Sequence, residues 1–347
     1  MSANTFFDFF VQLHLTERCN LRCRHCYQTG RNVDEMSFVE LKETIEEISD
    51  TLSGWKETYD IKFSPSFNVT GGEPFLRTDL FDILSEIGNK GFDLYLLTNG
   101  ILIDDHKAKT LCDLGVKGVQ VSIEGPEEVH ESIRGKGSFS SSVKGVKSLL
   151  DAGLKVTLNV TLSSLNAGYL MDLIELSSDI GVHRLGFSRL VPSGRGEAML
   201  DTMLSAERVK DLYKKIFSMD TGKLQIVTGD PVASQSTTEE SDDRGDVPFG
   251  GCAAGVSGLT ILPEGTIVPC RRLFIPIGNI RIDSFREIWS TSKILASLRD
   301  RSRYGGKCAA CKRWANCRGC RAIAYAFSCA KGEKDFLAED PQCFISE

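Results

Sequence analysis

The chain has 347 residues, 41% of them hydrophobic and 25% charged, and a net charge of −6. That length supports two domains with a sizeable core, the composition excludes wholesale disorder, and the charge gives no global reason to bind nucleic acid. The opening residues lack a basic stretch and a cleavage site, and no run of about 18 apolar residues occurs, so no membrane span is expected and the chain reads as cytoplasmic.

The predicted elements alternate through the first 190 residues. VQLHLT, starting near residue 10, is the first β-like run, and its His14 reads as a packed histidine rather than a ligand. The loop ERCNLRCRHCY follows. Ser37 and Glu40 then make a capping box, and Phe38, Leu41, Ile45, Ile48 and Leu52 form one apolar stripe at helical spacing. FNVTGG, DLYLLTNG, GVQVSIEG, KVTLNVTL and RLGFSRL are the next five strand-like runs. Between them, LFDILSEIGNKG and FSSSVKGVKSLLDAG read as helices that end in glycine, and Cys112 reads as ordinary helix core. Six strand–helix alternations imply a parallel sheet with helices outside it, and sites in such folds form at the C-terminal strand ends. The cysteine loop, TGGEP, TNG and SIEG all fall there. Residues 233–247 are polar and acidic and read as a solvated linker. The chain divides into a core (1–195), a connecting helix and acidic loop (196–249) and a cysteine-rich module (250–347).

Twelve cysteines without an export signal point to metal binding rather than to disulfides. Cys19, Cys23 and Cys26 stand at CxxxCxxC spacing just after the first strand. Three thiolates leave one iron of a cubane cluster open to a second molecule, whereas a zinc site would want a fourth ligand. With the motif order downstream, residues 10–190 resemble the radical S-adenosylmethionine (SAM) superfamily, whose fold is a partial, TIM-like (β/α)6 barrel. The resemblance implies that the open iron chelates the amino and carboxylate groups of SAM. Reductive cleavage then gives methionine and a 5′-deoxyadenosyl radical that abstracts a substrate hydrogen. It further implies SAM contacts at His25, Tyr27, Gly71, Gly72, Glu73, Pro74, Asn99, Ser122 and Arg134. Glu73 would accept from the SAM ammonium. Asn99 could equally be a simple turn, and Arg134 suits a carboxylate clamp, with a surface ion pair as the alternative. Glu124 receives no role.

In the C-terminal part, Cys252, Cys270, Cys308, Cys311, Cys317, Cys320 and Cys343 resemble the SPASM extension, which holds two auxiliary [4Fe–4S] clusters, for three in all. By that resemblance Cys308, Cys311, Cys317 and Cys343 ligate an outer cluster. Cys252, Cys270 and Cys320 hold an inner one, with an open or non-cysteine fourth site and Cys329 as the rival ligand. The final pair is CRGC, one residue shorter than usual, which puts the role of Cys320 in question. A zinc ribbon is the alternative reading of the CxxC pairs. Arg271 stands where sulfatase-maturing relatives carry an aspartate base, so oxidation of that kind is disfavoured and no catalytic base is assigned.

The leading expectation is an enzyme that oxidises or cross-links a peptide or protein side chain. A flavodoxin- or ferredoxin-type protein would be the reductant. A separate peptide-recognition protein could take part, since the early first strand leaves no room for a fused one. The alternative is modification of a tetrapyrrole, such as oxidative decarboxylation of haem-precursor propionates. Between Arg271 and Arg321 lie thirteen Lys/Arg and three Asp/Glu, which would suit anionic propionates or offset thiolate-bound clusters. An iron–sulfur electron carrier without radical chemistry is a more distant reading.

Overall fold

The computed structural model describes residues 7–60, 63–237 and 247–345. Ten strands form one sheet: β1 (Phe7–His14), β2 (Phe63–Thr70), β3 (Asp93–Thr98), β4 (Gly118–Ser122), β5 (Val156–Leu162), β6 (Arg184–Arg189), β7 (Gln225–Thr228), β8 (Gly258–Ile261), β9 (Thr266–Val268) and β10 (Gly278–Asn279). Their order is β10-β9-β8-β1-β2-β3-β4-β5-β6-β7. From β8 through β7 every neighbouring pair is parallel. β7 ends the order, so the barrel is open, as the partial-barrel expectation requires.

The six expected strands are β1 to β6. Between or after them lie helices α1 (Phe38–Tyr59), α2 (Leu80–Asn89), α3 (Asp105–Asp113), α4 (Glu127–Arg134), α5 (Ser138–Asp151), α6 (Leu170–Ile180) and α7 (Ala206–Ser218). α1 opens on the expected capping box, with Ser37 N–H donating to Glu40 Oε2 at 2.7 Å and Glu40 N–H donating to Ser37 Oγ at 3.3 Å. Leu41, Ile45, Ile48 and Leu52 bury one face of α1 against the sheet. α5 packs against β4 and β5 through Val146 and Leu149. Cys112 is exposed, contrary to its reading as core: Ala108 and Leu111 face inward, and the next position turns about 100° away.

Two strands extend the expected sheet. β7 lies within the supposed connector. β8, from the cysteine-rich module, pairs in parallel with β1 (Phe10 with Gly258 through Leu13 with Ile261). The boundary drawn at residue 250 therefore separates two parts of one sheet. Of the acidic segment 233–247, residues 238–246 lie outside the described residues.

Candidate active site

A cavity opens at the C-terminal ends of the strands. Cys19, Cys23, His25, Cys26, Tyr27, Gly71, Gly72, Asn99, Ser122 and Arg134 all line it. Glu73 and Pro74 are not among the lining residues. They sit behind the wall and are fully or nearly fully buried.

The cysteine loop is held in place by backbone. Gly72 N–H donates to Thr16 O at 2.6 Å and Glu73 N–H donates to Arg18 O at 2.9 Å. A Cβ at Gly72 would stand 2.2 Å from Arg18 O, so only glycine allows this zipper. The close approach expected of the Gly-Gly pair is thus an approach to the cysteine loop. Glu73 in turn accepts from Thr98 Oγ1 at 2.8 Å, Asn99 N–H at 2.9 Å and Phe75 N–H at 3.3 Å. Burial outweighs these donors and pushes its carboxyl up to about 7. Asn99 makes a turn, accepting from Ile101 N–H, and also reaches the cysteine loop, donating to Asn20 Oδ1 at 2.8 Å.

A third support was not anticipated from sequence. The chain after β6 folds over the loop: Gly196 N–H donates to Cys26 O at 3.1 Å and Arg195 Nε donates to Cys23 O at 3.1 Å. A Cβ at Gly194 would lie 2.2 Å from Tyr27 O. The Gly-Arg-Gly run after a strand was the available signal.

Arg134 is buried rather than part of a surface ion pair. Its Nε donates to Glu124 Oε1 at 2.9 Å, and its Nη1 lies 3.8 Å from Cys23 Sγ. Glu124 also faces His25 Nε2 at 3.2 Å and accepts from Thr161 N–H at 2.8 Å. Burial alone would raise the Glu124 carboxyl. Arg134, then His25 and the Thr161 amide, outweigh burial and hold it well below the usual range. Glu124 is therefore the hub of the His25–Arg134 wall, and the sequence reading that gave it no role is corrected.

A second cavity of about 500 Å³ adjoins the first and shares Tyr27, Gln28, Arg271 and Arg272 with it. Leu200, Leu262, Phe274 and Ala326 supply apolar wall. His14 lies in this wall as the packed histidine expected, fully buried, with Gln28 2.7 Å from its Nε2. Burial, then Arg271 and Arg31, bring it down to about 3, so it stays neutral. Arg31 is paired with Glu264 and Glu17. Arg271 leans over the Tyr27 ring, and its buried Nε has no hydrogen-bond partner.

In the C-terminal module Cys308, Cys311, Cys317 and Cys343 line a third cavity of about 510 Å³. Cys252, Cys270 and Cys320 are not part of that cavity. Burial pushes the Cys320 thiol up to about 12, with Arg272 opposing and Cys252 adding to the shift. Cys329 is exposed and lines the second cavity instead. It lies nine positions along the helix Arg321–Ala330 and its N-cap from Cys320, roughly 13 Å of helical rise, too far to share one cluster with it. Arg189, at the end of β6, is fully buried. It holds Asp230 at 2.6 Å, Asp340 at 2.8 Å and Gln342 at 2.8 Å, while Asp340 accepts from Cys320 N–H at 2.7 Å.

Comparison with known proteins gives these cavities a context. Residues 13–177 match the radical SAM superfamily, and residues 252–321 match the SPASM iron–sulfur cluster-binding domain. The chain is 30% identical to an AdoMet-dependent heme synthase of Nitratidesulfovibrio vulgaris, covering 96% of this chain and 91% of that protein. The chain belongs to the radical SAM superfamily. It is also 28% identical to the mycofactocin maturase MftC of Mycobacterium tuberculosis, over 90% of this chain and 78% of that one. The fold resembles Streptococcus suis SuiB bound to precursor peptide SuiA, with TM-score 0.74 and 16% identity over 98% of this chain and 76% of that chain. It is an enzyme, and its family implies iron–sulfur clusters and SAM.

The residues of this radical SAM chain fit those groups. Burial pushes the Cys19 thiol up to about 11, and Cys23, Glu73 and Cys26 add to it, so a bound cation would favour the Cys19 thiolate. All twelve cysteines are free. When bound, cluster and SAM supply a one-electron cleavage that yields a hydrogen-abstracting carbon radical. The chain's own residues supply the post-β6 segment that covers the cysteine loop and the Glu124 carboxylate that holds Arg134 at the cavity wall. Among the described residues no helix is long and apolar enough to cross a membrane.

Proposed function

We propose that the chain cleaves SAM in the first cavity and oxidises a propionate-bearing tetrapyrrole held in the second. Cys19, Cys23 and Cys26 would hold the SAM cluster. Cys308, Cys311, Cys317 and Cys343 would hold an outer cluster, and Cys252, Cys270 and Cys320 an inner one with a non-cysteine fourth site. The observation that carries the substrate reading is the shared wall: an apolar chamber opens onto the SAM cavity, with Arg271 and Arg272 between them. No ion pair engages Arg271 among the described residues and its buried Nε has no partner, which leaves it for a substrate carboxylate, whereas Arg272 lies against the Cys270 and Cys320 thiols. The full-length likeness to a heme synthase supports the same choice.

Loss of one hydrogen atom and one electron from a propionate releases CO₂ and leaves a vinyl group. The hydrogen would pass to the adenosyl carbon of bound SAM, and Cys252, Cys270 and Cys320 would hold the cluster able to take the electron. A flavodoxin- or ferredoxin-type reductant would recharge the SAM cluster, in the reducing cytoplasm where free thiols persist. Oxidation or cross-linking of a peptide side chain, with or without a separate recognition protein, is the second reading, favoured by the likeness to mycofactocin maturase.

Anaerobic incubation of reduced enzyme with SAM and iron-coproporphyrin III tests the choice. CO₂ and 5′-deoxyadenosine should appear in step. 5′-Deoxyadenosine formed without CO₂, or formed only when a peptide is added, transfers the assignment to the second reading. Iron analysis tests the cofactors: roughly twelve irons should fall to about eight in Cys19/Cys23/Cys26→Ala. Roughly four irons plus zinc would make the C-terminal module a zinc-bound element.

A further inference from the structure

The segment just after β7 reaches into the outer-cluster cavity. Asp230 caps the short turn Pro231–Ala233, accepting from Val232 N–H, and is itself fixed by Arg189. That turn delivers Gln235 to the cavity wall, beside Cys308, Cys311, Cys317 and Cys343. Gln235 Nε2 lies 3.5 Å from Cys317 Sγ and 3.4 Å from Cys343 Sγ. Its Oε1 accepts from Phe344 N–H at 3.2 Å. A backbone N–H can only donate, so this bond fixes which end of the amide is oxygen. The NH₂ group must then face the sulfurs, and its two hydrogens provide one donor for each.

We propose that Gln235 raises the reduction potential of the outer cluster by donating one N–H to each of two of its cysteine sulfurs. A reduced cluster carries more negative charge on its sulfurs, so donors aimed at them stabilise the reduced form more than the oxidised one. The amide does this without adding charge, and it ties together two cysteines far apart in sequence. Gln235 is a positioning and tuning residue: it touches the ligands rather than substrate. The segment read from its composition as a linker therefore begins with part of a redox centre. This inference rests on the outer-cluster assignment.

The test is an EPR-monitored redox titration of the full enzyme with its clusters loaded, comparing wild type, Gln235→Leu and Gln235→Glu. In Gln235→Leu one midpoint potential should move to more negative values, with iron content and the other potentials unchanged. Gln235→Glu removes the donors and adds a negative charge, so the same midpoint should move further. Potentials unchanged in both variants, or a positive shift in Gln235→Leu, would overturn the proposal. Loss of about four irons in both variants would make Gln235 a clamp and overturn tuning as its role. A Cys308/Cys311→Ala variant with undiminished iron would sink the outer-cluster assignment itself, which is a different failure from unchanged potentials.

Discussion

Glu73 and Glu124 are buried carboxylates a few residues from the same cavity, and their protons behave in opposite ways. Glu73 accepts hydrogen bonds only from neutral donors and Arg134 opposes burial only weakly, so burial wins and its carboxyl titrates near 7. Glu124 meets Arg134 and His25 and stays ionised. As pH rises through 7, Glu73 loses its proton and places a negative charge just behind the cavity wall, which would favour the ammonium of a bound SAM. SAM affinity of the cluster-loaded enzyme should therefore rise about tenfold from pH 6 to pH 8, and calorimetry on Glu73→Gln should show no such rise. The same shift costs the ligand-free protein stability as pH climbs from the ordinary carboxylate range through about 7, because the folded state favours the proton. Glu124→Gln leaves Arg134 buried without its counter-charge. It should lower unfolding free energy by about 3–5 kcal/mol, read by denaturant titration. Arg271→Gln should weaken iron-coproporphyrin III binding by about ten- to a hundredfold in an absorbance titration, the loss of a charged hydrogen bond worth about 1.5–3 kcal/mol. The motif residues that line the first cavity were legible because their motifs are contiguous and end strands. Glu124 and Arg189 were not, since what defines each is a partner set brought together only by folding.

At the scale of elements, the period of the sequence located β3, β4 and β5 because each alternates buried and partly covered positions. β7 is four residues long and β8 is buried at every position, so neither offers an alternation to read. Polarity also misled at Gln235, where an amide serves sulfur rather than water. The strongest element-level constraint is the zipper between the Gly-Gly-Glu turn and the cysteine loop. Gly72→Ala drives a methyl into the Arg18 carbonyl. It should cost about four of the bound irons while leaving the C-terminal clusters in place, an outcome that iron analysis beside the Cys19/Cys23/Cys26→Ala variant can check.

Across the whole molecule, a single buried network ties the barrel to the cysteine-rich module. Arg189 binds acids from after β7 and from the C-terminal segment, and Asp340 passes the tie on to the Cys320 amide and, through its carbonyl, to Cys343 N–H. Asp340→Ala should lose about 3–5 kcal/mol and release iron from the C-terminal module first, leaving the SAM cluster bound. Limited proteolysis followed by iron analysis would show the order. The union of the two parts was not legible because both the network and the β1–β8 pairing join residues far apart in the sequence.

That pairing bears on how the protein is made. Residues 7–14 leave the ribosome early, but the partner that covers the outer flank of β1, residues 258–261, emerges about 250 residues later. At roughly 5–20 residues per second, the first strand waits on the order of ten seconds or more with one backbone edge unpaired, and chaperone holding is most useful in that interval. The cysteine loop hangs from the end of this same strand, so its support is complete only once residue 261 has been made.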